Sequence, residues 1–532
     1  MLFLAILSLI VAVALPSVSK GLPPVLLTRI TSIIFIYSSA LAFNVYYIQS
    51  IGSGIGIYSG LFHVTTISQL LDTFLLIIAS LILVAWPIMN NSNNNKVENL
   101  NYAGEYSLIV LFSTLGSTLL VSSADLITMY LSIELQSFGV YILAALHRNS
   151  ESATNAGLKY FLLGGLSSCL ILLGAGLIYT YTGLTNFEAI YSLVSVYDTS
   201  SVLLQAGANG FTLGIILIIV GFLFKISAAP LHNWSPDVYD DSPTIVTIWL
   251  TIMPKIAILI FLLEVITQST PSIAYGGWIG DLSSVKNLLL ISSLLSLIVG
   301  TVVGLAQSRI KRLFAYSTIS HIGFILLALA INTEQSIESL IFYIIQYSLT
   351  NLTTFLIIIA LGYVIHNNVN TNSIKKGSEK DLGFIIELKG QFFANPLLSL
   401  GLSICLFSMA GVPPLIGFFS KQFVLYSAIE SGYYFMAVVA IIVSVISASY
   451  YLKIIRVLHT ESLTESPSVI TENKDQNLFK NVINEDKAVS AVITNFHSFL
   501  ISTLTLTILL FVLKPSLILN STQLLSLSLY NY

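Results

Sequence analysis

Four lysines stand alone within long apolar stretches of this sequence. They are Lys159, Lys225, Lys255 and Lys421, in a chain of which only 9% of the residues are charged. An ammonium group in hydrocarbon is costly unless it faces a polar cavity or a partner, so ionisable residues at membrane depth are functional candidates. A lysine near a helix end can instead extend its amine to the membrane interface. The set therefore predicts a path for charge through a membrane.

Glu134 is a carboxylate placed to pair with such a lysine. It lies near the middle of ITMYLSIELQSFGVYILAAL, where burial disfavours the ionised form unless a cation is close. Lys225 precedes Pro230 in GFLFKISAAPLHNW, and a break at this proline would free backbone carbonyls and admit water. Lys225 is thus the first candidate for a residue that changes protonation. The alternative for Glu134 is a structural ion pair that fixes helix packing.

The other three lysines differ in their position within the apolar segments. Lys159 lies near the start of one, so extension to the interface competes with a functional role. Lys255 follows Pro254 with apolar sequence on both sides, and Lys421 follows the double proline of MAGVPPLIGFFSKQF. Burial disfavours a charged lysine and a nearby carboxylate favours it. A change in their separation would therefore release or capture a proton.

Two histidines are candidates to bridge these lysines. Imidazole titrates near neutral pH and can donate and accept a hydrogen bond at the same time, which suits His232 and His321. A lone histidine is more often structural. We assign that structural interpretation to the remaining ones, His63, His147, His366, His459 and His497.

Metal or redox chemistry is not predicted for this chain. Its two cysteines, Cys169 and Cys405, lie in apolar segments and form no CxxC pair, so neither an iron–sulfur cluster nor a disulfide framework is supported. We expect no cofactor-binding or metal-binding residues here, and electron carriers would belong to partners.

Composition sets the fold class. The chain has 532 residues, 55% of them hydrophobic, and a mean hydropathy of +0.88, which excludes an ordinary soluble domain. Apolar runs of the length that a helix needs to cross a bilayer recur along the sequence. We predict an all-α polytopic membrane protein with about fourteen transmembrane helices, near 2–18, 24–46, 63–87, 105–123, 126–146, 154–181, 210–230, 243–267, 285–307, 313–332, 338–365, 396–431, 433–456 and 494–513.

The basic residues agree with this assignment of spans. Short loops on the cytoplasm-like side of a membrane are rich in Lys and Arg, and most of the basic residues follow the odd-numbered spans. Apart from the four lone lysines, only Lys286 and Lys514 fall on the other side. The alternation predicts an even number of spans with both termini on the less basic side.

Two of the predicted spans are broken by proline. A lysine precedes the break at Pro230 and another follows the break at Pro413 and Pro414. Broken helices at corresponding positions of two halves are typical of inverted repeats. The alternative is a pair of packing kinks in unrelated helices.

Three segments resemble the chain 2 family of proton-pumping NADH:ubiquinone oxidoreductase, respiratory complex I. They are LFKISAAPLHNWSPDVYDDSPTIVTIWLTIMPKIAIL, SRIKRLFAYSTISHIGF and GVPPLIGFFSKQFVL. The HNWSPDVYDDSPT part resembles chain 2 rather than the sister antiporter-like chains 4 and 5. The resemblance extends through essentially the whole chain.

The resemblance implies a role for each candidate residue in proton translocation. Glu134 would be the fifth-helix carboxylate and Lys225 its broken-helix partner. Lys255 would be the central lysine and Lys421 the lysine of the second broken helix. The remaining members would be an additional basic site, Lys159, and two histidines of the polar axis, His232 and His321.

The resemblance also implies a division of the chain into four parts. Residues 1–104 would hold three N-terminal transmembrane helices and a loop. Two inverted five-helix repeats would occupy 105–268 and 269–459, containing helices 4–8 and 9–13. A polar loop, the last transmembrane helix and a tail would fill 460–532.

Cofactors, partners and location follow from the same resemblance. NADH, FMN, iron–sulfur clusters and ubiquinone would be bound by other subunits, with structural lipids such as cardiolipin as candidates here. Partners would be other membrane-arm subunits, including antiporter-like chain 4 and the small membrane chains, and no nucleic acid. The implied location is the mitochondrial inner membrane, with basic loops toward the matrix and both termini toward the intermembrane space. The alternatives are a subunit of a secondary cation/proton antiporter and a membrane scaffold with relict ion pairs.

Overall fold

The computed structural model describes most of the chain, in nine stretches. These cover residues 1–15, 24–46, 54–84, 103–147, 150–197, 205–267, 283–369, 381–460 and 494–530. The predicted low-complexity loop Asn90–Asn95 lies outside them, as does the predicted polar loop at 460–489 apart from Thr460.

The first half of the described chain is built from ten α-helices and one hairpin. Long runs of Leu, Ile, Val and Phe with few charges give these helices an apolar surface nearly all round, as expected for membrane spans. The helices are α1 Leu2–Ala14, α2 Pro24–Tyr46, α3 Thr66–Val84, α4 Ala103–Val121, α5 Leu126–Ala144, α6 Glu151–Thr182, α7 Phe187–Tyr197, α8 Gln205–Lys225, α9 Trp234–Asp241 and α10 Thr244–Thr267.

A short antiparallel hairpin precedes α3. Strands β1 (Ile55–Ile57) and β2 (Phe62–Val64) pair with Ile55 opposite Val64. The hairpin is joined to the connection between α4 and α5, because the His63 amide donates to the Ser122 carbonyl at 2.8 Å. We predicted a span beginning at residue 63, whereas the helix begins at Thr66, since its first predicted residues form β2.

Nine further α-helices complete the described chain. They are α11 Ser283–Leu305, α12 Ile310–Ile331, α13 Glu334–Val369, α14 Gln391–Ala394, α15 Pro396–Ala410, α16 Ile416–Glu430, α17 Tyr434–His459, α18 Asn495–Leu510 and α19 Ser516–Tyr530. Short 3₁₀ turns lie at Ile385–Leu388 and Phe511–Leu513.

The all-α membrane fold is confirmed, and the number of fourteen spans stays a prediction. Ten helices of the described residues are long and apolar enough to cross a membrane. Each coincides with a predicted span. Four shorter apolar helices fall on the other predicted spans, at Leu2–Ala14, Glu105–Val121, Gly210–Lys225 and Pro396–Ala410. The helix α19 lies in the segment that we had assigned to a tail.

Two helices, α10 and α12, form the centre of the described fold. In each of these helices, 94% of the most apolar 18-residue stretch is buried inside the protein. The corresponding share is 39% for α6 and α17, at the periphery. The candidate residues Lys255 and His321 lie on these two central helices. The fold therefore places them away from the surface that would face lipid.

Candidate functional site

Glu134 and Lys225 form an ion pair between α5 and α8. The Lys225 Nζ lies 3.2 Å from Glu134 Oε1 and donates to the Ser137 hydroxyl at 3.1 Å. Lys225 is 7% exposed. Glu134 and Ser137 are three residues apart on α5, so both face the same side of that helix. The carboxylate and the hydroxyl thus provide Lys225 with a buried anionic partner and a neutral one.

The break after Lys225 is held by a tryptophan. Helix α8 ends at Lys225, and the chain resumes helical structure at Trp234, as the proline pattern predicted. The Trp234 indole donates to the Phe224 carbonyl at 2.9 Å, and its ring stacks on Tyr160 with centroids 4.6 Å apart. Trp234 satisfies one of the carbonyls that the end of α8 leaves free. Lys225 is therefore the last helical residue before the break, while its ammonium is bound by side chains of α5.

A small cavity lies beside Lys225. Its lining includes Gln136, Ser137 and Tyr141 of α5, Lys225, and Pro254 of α10. The side-chain amide of Gln136 is buried and has no hydrogen-bond partner in the described chain. The cavity has a mostly apolar lining and a volume of about 10 Å³, which is close to the smallest size that holds one water molecule. Because Pro254 precedes Lys255, this cavity extends from Lys225 to the helix of the next lysine.

Lys255 is enclosed and has no carboxylate partner among the described residues. It is 1% exposed, donates to the Thr318 hydroxyl at 3.2 Å, and lies over the ring of Tyr239 with its Nζ 5.3 Å from the ring centroid. A hydroxyl and an aromatic face accept an ammonium less strongly than a carboxylate does. Among the four candidate lysines, Lys255 therefore has the partners that stabilise its ammonium form least.

His321 lies on the same side of α12 as Thr318. Its Nδ1 is 2.8 Å from the Tyr343 hydroxyl and its Nε2 is 3.2 Å from the Tyr451 hydroxyl. In neutral imidazole one nitrogen donates and the other accepts, and a hydroxyl can partner either. Lys255 and Lys421 both act electrostatically on this ring. On α12 the histidine lies between Thr318, which contacts Lys255, and Phe324, which contacts Lys421.

Lys421 is bound to the carbonyl end of a broken helix. Its Nζ donates to the carbonyls of Met409 at 2.9 Å and Ala410 at 3.0 Å, which are the last residues of α15. A helix carboxyl terminus carries partial negative charge and favours a cation. Gly411, with φ of 88°, turns the chain away there. The ammonium of Lys421 is thus partnered by peptide dipoles.

Helix α12 aligns the second half of the axis. Thr318, His321 and Phe324 follow one another at intervals of three residues and contact Lys255, the two tyrosines and Lys421 respectively. Residues three apart share a helix face. The candidate site is therefore a buried polar axis that begins at Glu134 and Lys225 and continues through Lys255 and His321 to Lys421.

Lys159 lies apart from this axis. Its side chain is 49% exposed and pairs with Asp237 of α9 at 3.1 Å. Asp237 also pairs with Arg312, and Asp240 pairs with Arg309 at 2.6 Å. Although burial alone would raise the pKa of Asp237, its hydrogen bonds to Lys159 and Arg312 lower it. Lys159 thus belongs to an ion network at the basic end, which favours the interface interpretation of this residue.

His232 is also outside the line of lysines. It lies in the break between α8 and α9, with its ring 6.4 Å from that of Tyr316. Among the described residues it contacts none of the four lysines. The structure therefore brings together Glu134, Lys225, Lys255, His321 and Lys421 of the predicted set, and leaves His232 and Lys159 to one side.

Sequence reasoning missed several polar partners. Thr318, Tyr343 and Tyr451 carry no charge, and nothing in the pattern distinguishes them from other hydroxyls in apolar helices. Two buried carboxyls, Asp72 and Glu264, could have been found by the criterion that selected the lysines, since each stands alone in an apolar run. In the described part of the chain, no three His, Cys, Asp or Glu residues are grouped as metal ligands would be.

Comparison with known proteins places this arrangement in a family. Residues 123–447 match the family described as NADH:quinone oxidoreductase/Mrp antiporter, TM. The NADH-ubiquinone oxidoreductase chain 2 of Rhizopus oryzae is 49% identical over the whole of both chains.

Two solved structures have a similar fold. A chain of respiratory complex I from Thermus thermophilus has a TM-score of 0.68 and 25% identity, over 98% of this chain and 99% of that one. A chain of the Mrp complex from Dietzia sp. DQ12-45-1b has a TM-score of 0.72 at 18% identity, over 100% and 96%. The second likeness shows the fold alone.

The fold and the buried lysine axis define an antiporter-like membrane subunit. Within that class, full-length identity with a chain 2 relative decides among the members. The chain belongs to the NADH-ubiquinone oxidoreductase chain 2 family, as the sequence motifs predicted.

Proposed function

We propose that this chain is a proton-translocating subunit of the membrane arm of respiratory complex I. Electron transfer from NADH to ubiquinone takes place in other subunits, and this chain moves protons in response. It is part of a translocase and has no redox centre of its own. The observation that carries the proposal is the buried polar axis of Glu134, Lys225, Lys255, His321 and Lys421 in a chain 2 family member.

The partners of the lysines explain how such an axis would work. A carboxylate favours the ammonium form of Lys225, and removal of that carboxylate would favour release of its proton. Lys255 has only neutral partners, so a proton arriving there is held weakly. A small separation of α5 from α8 would therefore send a proton toward Lys255, through the cavity beside Pro254. His321 would pass it on to Lys421 by exchange of its two hydrogen bonds.

Two inverted repeats would organise this path. We assign the first to 105–268 and the second to 269–459, with 1–104 as an N-terminal unit and 460–532 as the last part. The positions of Lys225 before one break and Lys421 after the other support inversion. So does the use of a helix carboxyl end beside each lysine, at α8 and at α15.

The location follows from the family. We assign the chain to the mitochondrial inner membrane as a multi-pass protein. The basic loops would face the matrix and both termini the intermembrane space, since Lys and Arg accumulate on the side from which a membrane protein is inserted. The ion network of Lys159, Arg309 and Arg312 would then lie on the matrix side.

Partners and cofactors are assigned in the same way. The other membrane-arm subunits, including antiporter-like chain 4 and the small membrane chains, would flank this chain. NADH, FMN, iron–sulfur clusters and ubiquinone would be bound elsewhere in the complex. Cardiolipin and other lipids would cover the exposed apolar surface, where side chains such as Leu397 are 85% exposed.

A subunit of a cation/proton antiporter is the second candidate. The fold shared with the Mrp complex is compatible with it. Full-length identity of 49% with a chain 2 relative favours complex I over it. The two candidates differ in whether the chain migrates with an NADH-oxidising assembly.

The first experiment is gentle solubilisation of native membranes, separation of complexes by size, and staining for NADH dehydrogenase activity. We expect this chain, located by peptide mass, in a very large NADH-active band. Its presence in a smaller, NADH-inactive assembly would contradict the proposal and favour the antiporter.

The second experiment tests the axis. Lys225→Met, Lys255→Met and Lys421→Met are each expected to lower several-fold the number of protons pumped per NADH oxidised in proteoliposomes. Lys453→Met, at an exposed lysine of α17, is the control and is expected to pump normally. Normal pumping by all three assembled axis variants would instead support a scaffold.

A further inference from the structure

Two buried carboxyl groups outside the axis lie on helices that pack against each other, α3 and α10. Asp72 lies on α3 and Glu264 on α10, and each is 7% exposed. The Asp72 carboxyl is close enough to act electrostatically on Glu264. The chain thus places a pair of acids inside a membrane domain.

Neither acid has the partners that a buried ionised group requires. Asp72 Oδ1 and Glu264 Oε1 are enclosed and accept no hydrogen bond in the described chain. No described lysine, arginine or histidine contacts either carboxyl group. Asp125, another buried carboxylate, differs from both. It accepts hydrogen bonds from the Ile127 amide at 2.8 Å and from the Thr185 hydroxyl at 2.7 Å.

Two like charges in an apolar interior cannot both stay ionised. Such a carboxyl pair retains at least one proton, and the proton belongs to the pair rather than to one residue. The enclosed, unpartnered oxygens of Asp72 and Glu264 are therefore a place where a proton is bound.

The pair lies between the lysine axis and the less basic end of the protein. Glu264 follows Lys255 by nine residues on α10, a rise of about 14 Å along the helix. That end of α10 lies beside the hairpin side of the protein, because Phe261 contacts Phe187, whose amide donates to Ala124 beyond α4. Asp72 lies two turns into α3, which begins at the same end.

We propose that Asp72 and Glu264 form a shared proton-binding site on a branch that leaves the axis at Lys255, separate from the route to His321, and that this site delivers protons toward the less basic face. In the transfer, an N–H bond of the Lys255 ammonium breaks and, by relay, an O–H bond forms on the carboxylate of a pair that already holds one proton, which leaves a neutral amine and two neutral acids. This inference rests on the proposed function. It gives the N-terminal helices, through Asp72, a part in proton exit.

The test compares Glu264→Gln, Asp72→Asn and the double variant in the intact complex. The readout is the number of protons pumped per NADH oxidised in proteoliposomes, with assembly followed on native gels. We expect a several-fold fall for Glu264→Gln and the double variant, and restoration of pumping by Glu264→Asp, which keeps an acid there. Glu188→Gln, at an exposed carboxylate on the same end, is the matched control and is expected to pump normally.

The outcomes separate this inference from the proposed function. A normal pumping ratio in assembled Glu264→Gln and Asp72→Asn, together with a lowered ratio in Lys255→Met, would overturn the exit site alone. Normal ratios in Lys225→Met, Lys255→Met and Lys421→Met alike would overturn the proposed function.

If the variants fail to assemble, the inference can still be tested by chemical labelling of the unsubstituted complex. Dicyclohexylcarbodiimide, an apolar reagent, reacts with protonated carboxyl groups, and peptide mass spectrometry locates the adduct. We expect an adduct on Asp72 or Glu264 at neutral pH and none on Asp125. Absence of an adduct from both members of the pair would overturn the inference.

Discussion

The lysines of the axis are distinguished by the chemistry of their partners. Lys225 has a carboxylate, Lys255 a hydroxyl and an aromatic ring, and Lys421 two peptide carbonyls. These partners favour the ammonium form strongly at Lys225, weakly at Lys255 and to an intermediate degree at Lys421. The order in which the three residues would give up a proton is therefore set by one or two neighbouring atoms each.

Glu134→Gln tests the first of these partners. The amide keeps the shape of the side chain but removes the charge, which leaves Lys225 buried beside neutral groups. We expect proton pumping to fall several-fold while the complex assembles, and Glu134→Asp to retain more activity. The measurement is pumping per NADH oxidised. Equal pumping by Glu134→Gln and the unsubstituted complex would show that the pair only fixes packing.

Asp381 is expected to make stability depend on pH. Burial alone would raise the pKa of this carboxyl, but the charge and hydrogen bond of Lys311 and the hydrogen bonds from Thr244 lower it. A lowered pKa contributes stability that is complete above the unfolded value of about 3.9 and is lost as pH falls through the folded value. Asp381→Asn should therefore reduce the thermal stability of the complex at neutral pH.

The expected cost of Asp381→Asn is roughly 1–3 kcal/mol, because a nearly buried lysine loses its charged partner. The measurement is the NADH-active band that remains after stepwise heating at neutral pH and at about pH 3, below the unfolded-state pKa of a carboxyl group. Glu188→Gln, at an exposed and unpaired carboxylate, is the control. A loss of stability that is the same at both pH values would contradict this role for Asp381.

At the level of single residues, the sequence predicted charges better than their neutral partners. Glu134 and Lys225 could be matched because a buried charge demands an opposite one. His321 could be proposed, but Tyr343 and Tyr451 could not, because many tyrosines occur in these helices and only tertiary packing selects two. Lys159 remained ambiguous in the sequence, since exposure depends on what packs against its helix.

The two broken helices are similar in plan and differ in how the break is filled. At α8 the Phe224 carbonyl accepts from the Trp234 indole and from the Ser227 amide. At α15 the Met409 carbonyl accepts from Lys421 of the next helix. A change in protonation of Lys421 would therefore act directly on the backbone of α15. At α8 the corresponding effect would pass through Glu134 and α5.

The contact between α6 and α8 depends on glycine. A Cβ at Gly174 would lie 2.5 Å from the carbonyl oxygen of Gly214, whereas one at Gly176 would meet nothing within 4 Å. We expect Gly174→Ala to destabilise the complex by about 1–3 kcal/mol. Gly176→Ala, on the same helix, should be neutral or stabilising, because alanine favours helix by up to about 1 kcal/mol.

The measurement for both glycine variants is again the temperature at which the NADH-active band is lost. Equal behaviour of Gly174→Ala and Gly176→Ala would mean that the two helices separate without cost, against the close contact seen here.

Element prediction succeeded where length and hydropathy decide, and failed where local geometry does. Both breaks were placed correctly because a proline inside a helix removes a backbone hydrogen bond and clashes with the preceding turn, although α10 continues through Pro254. The hairpin at 55–64 was missed because its strands have three residues each, too few for a visible alternation. Helix α19 was missed because its many serines and threonines lower its hydropathy, although it packs against α13.

At the scale of the whole molecule, charge is concentrated at one end of the described helices. Lys159, Arg309, Arg312 and Lys311 are all paired there with aspartates. The hairpin lies with the connections that follow α4 and α6, at the other end. The two ends therefore differ in both charge and backbone structure.

Cysteine labelling tests the orientation that we propose. Tyr58→Cys, in the exposed turn of the hairpin, and Ile386→Cys, in the 3₁₀ turn near Arg309, would be made in a Cys169→Ser background. A maleimide that cannot cross membranes should label the first in mitoplasts and the second in inverted vesicles. The reverse pattern would contradict the assignment of the basic loops to the matrix.

The enclosure of α10 and α12 has a mechanical consequence. A helix surrounded by protein on nearly every side cannot shift without displacing its neighbours. We therefore expect α10 and α12 to move less than the peripheral helices. Helices α6, α11 and α17 have more exposed surfaces and are less constrained by this chain. We therefore expect Lys255 and His321 to keep their positions relative to each other when the peripheral helices move.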